Sequence, residues 1–296
     1  TWARAAKVVM VDVDPAELKK PTLHIDLPVC ADAKDFLTAL ETAIAGEALP
    51  LNPQQGWREL CESWKKNYPV VLPRHWAENG KTANCYAFIR YVGEAAPAGT
   101  LAVTSNGTCC VAGNQCYCIK PGTRFINNNA IASMGYGLPA AIGACIANGR
   151  KDTICLEGDG SIMMNLQELQ TVKTYQLPLK IFILKNGEYA SIIQTQRNFF
   201  DGRLTGCNRQ SGVEVPDFVQ VAKSFGLPAV RLTENAGLSA RLEEILAMDG
   251  PVVCEVNCSE NYIFAPKLSA RKLPDGRMVS PSLEDMYPFL DRRELA

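Results

Sequence analysis

From Thr100 onward short apolar runs punctuate the chain at Leu101–Thr104, 153–156, 180–184 and 252–256, and stretches of helix length with mixed polarity separate them. Runs of four or five apolar residues that do not alternate with polar ones suit strands covered on both faces. Strand-length runs divided by helix-length segments predict an α/β fold, a doubly wound and mostly parallel sheet with helices on both faces. In the first half, the β-branched run 7–13 predicts a strand. Asp14-Pro15-Ala16-Glu17-Leu18 then carries an N-cap, a first-turn proline and an early acid, so a helix is expected to follow. Phe36, Leu37, Leu40 and Ile44 recur at helical spacing after Asp32 and predict a second helix over 33–45.

These patterns divide the chain. One strand and two helices are too little to enclose a core, so residues 1–45 are expected to be the remnant of a domain whose body lies elsewhere. Residues 46–95 read as a linker, with two prolines between Gly46 and Gly56, followed by irregular covering helices that hold three of the four tryptophans. The sheet-bearing domain is expected over 96–262, and the proline- and charge-rich 263–296 as a tail draped on the surface.

Composition adds mainly exclusions. The 296 residues carry 30 basic and 31 acidic side chains, a formal net charge of -1, which gives no basic field for nucleic acid or an anionic membrane. No run approaches the roughly 20 apolar residues of a membrane span. Twelve cysteines are scattered without a C-x-x-C pair; the closest groups are Cys109, Cys110, Cys116 and Cys118, and Cys254 with Cys258. They read as buried small hydrophobes in a reducing compartment, and the expected location is cytoplasmic. Thr1 stands where an initiator Met would, and no signal-peptide pattern follows, so the sequence reads as a chain entered mid-protein.

Candidate chemistry concentrates after the strand at 153–157. Gly158-Asp159-Gly160-Ser161 leads into an expected helix containing Met164, Leu166, Leu169 and Val172, and the strand at 181–184 ends at Lys185-Asn186-Gly187-Glu188. In a β-α-β unit both strand ends lie on one edge of the sheet, which lets Asp159 and Asn186 converge. A carboxylate and an amide oxygen suit a hard cation such as magnesium, and a helix opening at Gly160 and Ser161 would turn its N–H groups toward an anion. Either turn alone is commonplace; together they describe a diphosphate site bridged by a metal.

With Asn165 and Glu168-Leu169 on the following segment, this pattern resembles the thiamine-diphosphate motif of acetolactate synthase, pyruvate decarboxylase and benzoylformate decarboxylase relatives. The resemblance implies that Asp159 and the Asn186 side chain ligate Mg2+ and that Glu188 adds its backbone carbonyl. The small-residue segment 132–144 resembles the stretch running under the cofactor, with Ala132 offering a backbone oxygen to the aminopyrimidine, Ser133 beside it and Met134 as the bulky wedge that bends the two rings. Asn106, Gly107 and Thr108 resemble the turn that closes over the diphosphate, though Thr108-Cys109 replace the usual Gln-His. Tyr189, Ala190 and Ser191 open the helix over the site, where Thr195 replaces a tryptophan of the synthases, so a different acceptor pocket is expected. The segment 198–218 and the tail 283–292 extend the resemblance toward carboligases of surface-polysaccharide biosynthesis, and Val8 to Glu17 resembles the V-D-x-D-P-x-E stretch of the family's middle domain.

The implied activity is a thiamine-diphosphate-dependent carboligase. It would decarboxylate a 2-oxo acid such as pyruvate and transfer the two-carbon unit to pyruvate or a keto-sugar; the alternatives are a simple decarboxylase or a non-catalytic cofactor-binding fragment. The family's activating glutamate comes from a pyrimidine-binding domain of a neighbouring subunit, outside this sequence, and a homodimer or tetramer is expected. Glu157, Glu168 and Glu188 are expected to be structural, so no catalytic residue is assigned, and the chain alone is expected to be inactive. Arg197, Gln194 and Gln196 are candidates for the substrate side. His24 and His75 lie outside the motif region.

Overall fold

A computed structural model describes residues 3, 5–47, 54–77, 80–259, 263–273, 275–291 and 293. The middle of the expected linker, the expected boundary at 262 and the last residues of the tail fall outside these. The chain forms two compact units, Pro69–Lys267 and the segments Thr1–Tyr68 with Leu268–Ala296.

In the smaller unit β1 (Val9–Asp12) pairs in parallel with β2 (Leu27–Cys30), and α1 (Ala33–Ile44) starts where the Asp32 side chain accepts the Lys34 N–H at 2.8 Å. The helix expected after Asp14 is only a 3-10 turn at Glu17–Lys19. Pro21 explains the stop, because the residue before a proline is driven from helical to extended backbone. β2 has no counterpart in the sequence reading; Pro28 disguises it, and a proline is tolerated in a two-stranded edge. In α2 (Gln55–Asn67) Trp57 and Trp64 pack edge to face, their ring centres 5.6 Å apart. Neither α1 nor α2 buries a residue.

The larger unit begins with α3 (Cys85–Ala95), whose N-cap Asn84 accepts the N–H groups of Tyr86 and Ala87. This helix is regular and buries Tyr86, Phe88, Ile89 and Val92, whereas the sequence pattern suggests irregular covering helices there. Next come β3 (Leu101–Thr104), α4 (Gly107–Cys116), β4 (Arg124–Ile126), α5 (Gly137–Ala147), β5 (Thr153–Gly158), α6 (Asp159–Ile162), α7 (Glu168–Tyr175) and β6 (Leu179–Lys185). The unit continues with α8 (Ala190–Phe199), α9 (Phe218–Ser224), β7 (Ala229–Leu232), α10 (Leu238–Leu246) and β8 (Val252–Asn257). All the strands β3 to β8 lie in one six-stranded sheet of order β4-β3-β5-β6-β8-β7, every pairing parallel.

Alternation along the central strands assigns the two faces. Ile154, Leu156, Phe182 and Leu184 join α3, α4 and α10 in one core, while Cys155, Ile181 and Ile183 join α5, α7 and α9 in the other. Fully buried Phe182 meets Phe88 edge to face at 5.5 Å, and truncating it to alanine should cost about 3–5 kcal/mol. Two elements escape the sequence pattern. β4 and β7 sit at the sheet edges, partly buried, and therefore lack the continuous apolar run that marks the central strands.

Candidate functional site

The chain leaves β3 toward β4 on one side and returns to β5 on the other, so the strand order reverses between β3 and β5. In open parallel sheets ligands bind at the carboxyl edge beside such a reversal. Three neighbouring strands deliver their ends there: β3 into Ser105-Asn106 and α4, β5 into Asp159, and β6 into 186–189 and α8. The first turns of α4 and α8 have no side-chain cap, although Asn106 stands at the N-cap of α4. Uncapped first-turn N–H groups, at the positive end of the helix dipole, favour an anion.

The Asp159 carboxylate fastens the two inner strand ends together. One oxygen accepts the Gly160 N–H at 2.7 Å, and the other accepts those of Asn186 at 2.9 Å and Gly187 at 2.7 Å. Gly187 adopts φ +74°, which glycine permits at no steric cost. The Asn186 side-chain oxygen accepts the Glu188 N–H at 3.2 Å. Asp159 is only 4% exposed, and burial pushes its pKa up to about 6 despite these N–H donors and nearby Lys185. Gly160 has no room for a side chain, since a Cβ would stand 2.2 Å from the Tyr189 ring. Tyr189 in turn donates its N–H to the Cys207 carbonyl at 2.8 Å.

The small-residue segment lies against the same turn. Gly135 donates its N–H to the Ser161 hydroxyl at 2.9 Å and accepts from the Asn165 amide at 2.7 Å, with φ +82°. Ser161 also shares a 2.6 Å hydrogen bond with Ser105. Gly137 lets α5 approach β5: a Cβ there would meet the Glu157 Oε1 at 2.3 Å. That oxygen accepts the Leu138 N–H at 2.7 Å. The other Glu157 oxygen is buried without a hydrogen-bond partner among the described residues, and burial pushes the group up to about 7.

These elements enclose a cavity of about 640 Å3. Asn106, Gly107, Thr108, Ala132, Met134, Gly158, Asp159, Gly160, Ser161, Asn186, Glu188, Tyr189, Ala190 and Ser191 all line it. Ser133 does not; its hydroxyl accepts from Asn128 at 3.5 Å. Sequence reasoning missed Cys110, Val111 and Asn114, which helical spacing from Gly107 places on one face of α4, and Asn129, Leu184 and Ile192, for which it offered no signal. The helix expected from 161 onward is broken: α6 ends at Ile162, hydrogen-bonded turns follow, and α7 begins at Glu168.

Other candidates are placed elsewhere. Gln194 accepts from Lys267, and Gln196 bonds both the N–H and the carbonyl of Thr205, while Arg197 lines a second cavity. Glu168 accepts from Thr171. His75 is buried, its Nδ1 accepting the Leu72 N–H, and His24 is exposed beside Asp26. All twelve cysteines are free thiols, eight of them buried. Among the described residues no group of three or more His, Cys, Asp or Glu is arranged to hold a metal by itself.

Residues 105–256, which run from the end of β3 to the last strand of the sheet, match the family described as thiamine pyrophosphate enzyme, C-terminal TPP binding domain. The chain belongs to the thiamine pyrophosphate enzymes. Within that family it is similar to acetolactate synthases. It is 35% identical over 265 residues to the acetolactate synthase large subunit of Cyanidium caldarium, covering 88% of this chain and 44% of the relative. Identity is 32% over 267 residues to the isozyme 2 large subunit of Escherichia coli, with the same coverage. Against acetolactate synthase 2, chloroplastic, of Zea mays it is 30% over 261 residues, 86% and 40% of the two chains. The chain thus spans less than half the length of these curated relatives. It contains the TPP-binding domain of an acetolactate synthase-like protein, and no described helix is long and apolar enough to cross a membrane.

Proposed function

We propose that this chain is the diphosphate- and Mg2+-binding part of a carboligase that decarboxylates a 2-oxo acid such as pyruvate and passes the two-carbon unit to a second carbonyl. The convergence of Asp159 and Asn186 beneath two uncapped helix N-termini carries the reading.

The donor set fits magnesium. An ionised carboxylate has about four lone-pair positions, and three N–H donors leave Asp159 one to share. The Asn186 side-chain oxygen and the Glu188 carbonyl complete an all-oxygen protein set, which suits a small hard cation that takes its remaining ligands from phosphate and water. The diphosphate would rest against the N–H groups of Gly107, Thr108, Ala190 and Ser191. Met134, held by the clamp on Gly135, would support the bend of the cofactor, with the Ala132 carbonyl toward the aminopyrimidine. When bound, thiamine diphosphate supplies an acidic carbon and an electron sink for decarboxylation. The chain's own contribution is to bind, orient and exclude water.

Among the described residues Asp159 and Glu188 are the carboxylates lining the cavity, and both are committed to the metal turn. This supports an activating glutamate supplied by a pyrimidine-binding domain outside this sequence, within a homodimer or tetramer, and an isolated chain that is inactive. Thr195, where the synthases carry tryptophan, favours a keto-sugar over pyruvate as acceptor. The twelve free thiols favour the cytoplasm. The test is product analysis with the assembled protein, thiamine diphosphate, Mg2+ and pyruvate, without and with keto-sugars. Acetolactate or a lengthened sugar is expected; acetaldehyde alone would establish a simple decarboxylase, and no turnover with any acceptor a binding module.

A further inference from the structure

A second cavity of about 610 Å3 opens on the other side of the metal turn, and Glu188 lines both. Its character differs from that of the first. Among the described residues Leu204 is the one apolar side chain in its lining, and the rest is built from Arg197, Arg209, Asn208, Gln210 and Ser211 with Gly187 and Glu188. Its lining carries two arginines and one glutamate.

The wall that carries these groups is fixed by hydrogen bonds. The Gln196 amide bonds Thr205 through both its oxygen, at 2.9 Å, and its nitrogen, at 3.0 Å. The Cys207 carbonyl accepts the Tyr189 N–H, tying the wall to the turn shared by both cavities. Asn208 caps a 3-10 turn by accepting the Ser211 N–H at 3.0 Å, while the Ser211 hydroxyl accepts the N–H groups of Cys207 and Asn208. Arg209 therefore projects from a locked turn, and Arg197 from the last turn of α8.

Contrast with Arg231 shows why Arg209 suits a ligand. Arg231 is held by the buried Glu255 at 2.8 Å and by Asp217 at 2.5 Å, a partner set that uses its fork internally. Arg209 pairs with Glu214 at 3.5 Å, with side chains 80% and 71% exposed, a pairing that water screens strongly. Its guanidinium keeps most of its five donors for a planar anion, which arginine forks bind in pairs.

We propose that this second cavity binds the anionic group, carboxylate or phosphate, of the carbonyl compound that accepts the two-carbon unit. Its position beside the metal turn would present that compound to the first cavity. The assignment of an acceptor rests on the proposed carboligase function; the existence of the anion site does not.

The test therefore needs neither cofactor nor metal. The 296-residue chain is titrated by calorimetry with inorganic phosphate and, separately, with pyruvate at fixed ionic strength. Saturable one-to-one binding of either probe is expected, weakened about tenfold or more in Arg197→Met and again in Arg209→Met. Both residues are exposed, so neither variant should disturb folding, and circular dichroism checks this. Lys173→Met, remote from the cavity, should bind as the parent does. Preference for phosphate would mark a phosphorylated acceptor and preference for pyruvate a 2-oxo acid. No saturable binding of either probe, or binding that survives both arginine substitutions, overturns the site. Because the titration contains neither thiamine diphosphate nor Mg2+, its failure is distinguishable from failure of the cofactor reading, which metal-dependent cofactor binding tests separately.

Discussion

The Asp159 carboxylate accepts the backbone N–H of Asn186 at 2.9 Å, joining residues 27 positions apart in the chain. The parallel pairing of β5 with β6 makes this possible, because it brings both strand ends to one edge of the sheet. The bond holds the metal turn in shape, so Asp159 has a structural duty besides its proposed role as ligand. Asp159→Ala should strand one buried and two partly buried N–H groups and lower stability by about 1–3 kcal/mol in chemical denaturation. Asp159→Asn retains a side-chain oxygen and should lose less.

Gly137 and Gly160 mark places where backbone and side chain approach too closely for a methyl group. Gly160→Ala would drive a Cβ to 2.2 Å from the Tyr189 ring, and Gly137→Ala would drive one to 2.3 Å from Glu157. Each is expected to cost about 1–3 kcal/mol, read as a lower denaturation midpoint. Gly143→Ala is the control on the same helix as Gly137, since open space surrounds its position.

Burial lowers the His75 pKa, and its Nδ1 accepts the Leu72 N–H, an interaction that requires the neutral ring. Below the unfolded value near 6.5 the unfolded chain binds a proton that the native state resists, so stability falls as pH drops through that value. A plot of denaturation midpoint against pH should slope upward as pH rises toward the unfolded value of about 6.5. His75→Asn, which keeps an acceptor but cannot titrate, should flatten that part of the curve.

Thiol reactivity should follow burial. Desolvation raises the pKa of Cys109, Cys155 and Cys254, all enclosed by the two cores, whereas Cys30 is exposed. A mild thiol reagent should label Cys30 in the native chain within minutes and reach those three only after denaturant. Rapid native labelling of Cys155, at the centre of the sheet, would contradict the packing.

The central strands and the convergence of Asp159 with Asn186 were legible because they depend on local signals: buried strands read as apolar runs, and residues directly after two adjacent parallel strands meet at one edge of the sheet. β4 and β7 were not, because edge strands are half exposed and their composition approaches that of a loop. β2 hid behind Pro28, and the helix expected after Asp14 was halted by Pro21, a signal present in the sequence but outweighed there by the helix-start pattern. Asn114 belonged to the site wall through helical spacing on α4, which only becomes evident once α4 is known to begin at Gly107. The clamp on Gly135 by Ser161 and Asn165 spans separate segments and had no local signature.

The most direct measurement is equilibrium binding of thiamine diphosphate to the assembled protein, with Mg2+ or with excess chelator, for the parent and for Asp159→Ala. Binding that needs Mg2+ and falls at least a hundredfold in the variant is the expected result. Equal binding by parent and variant, or binding indifferent to chelation, would contradict the assignment of Asp159 and Asn186 as the metal-bridged diphosphate site.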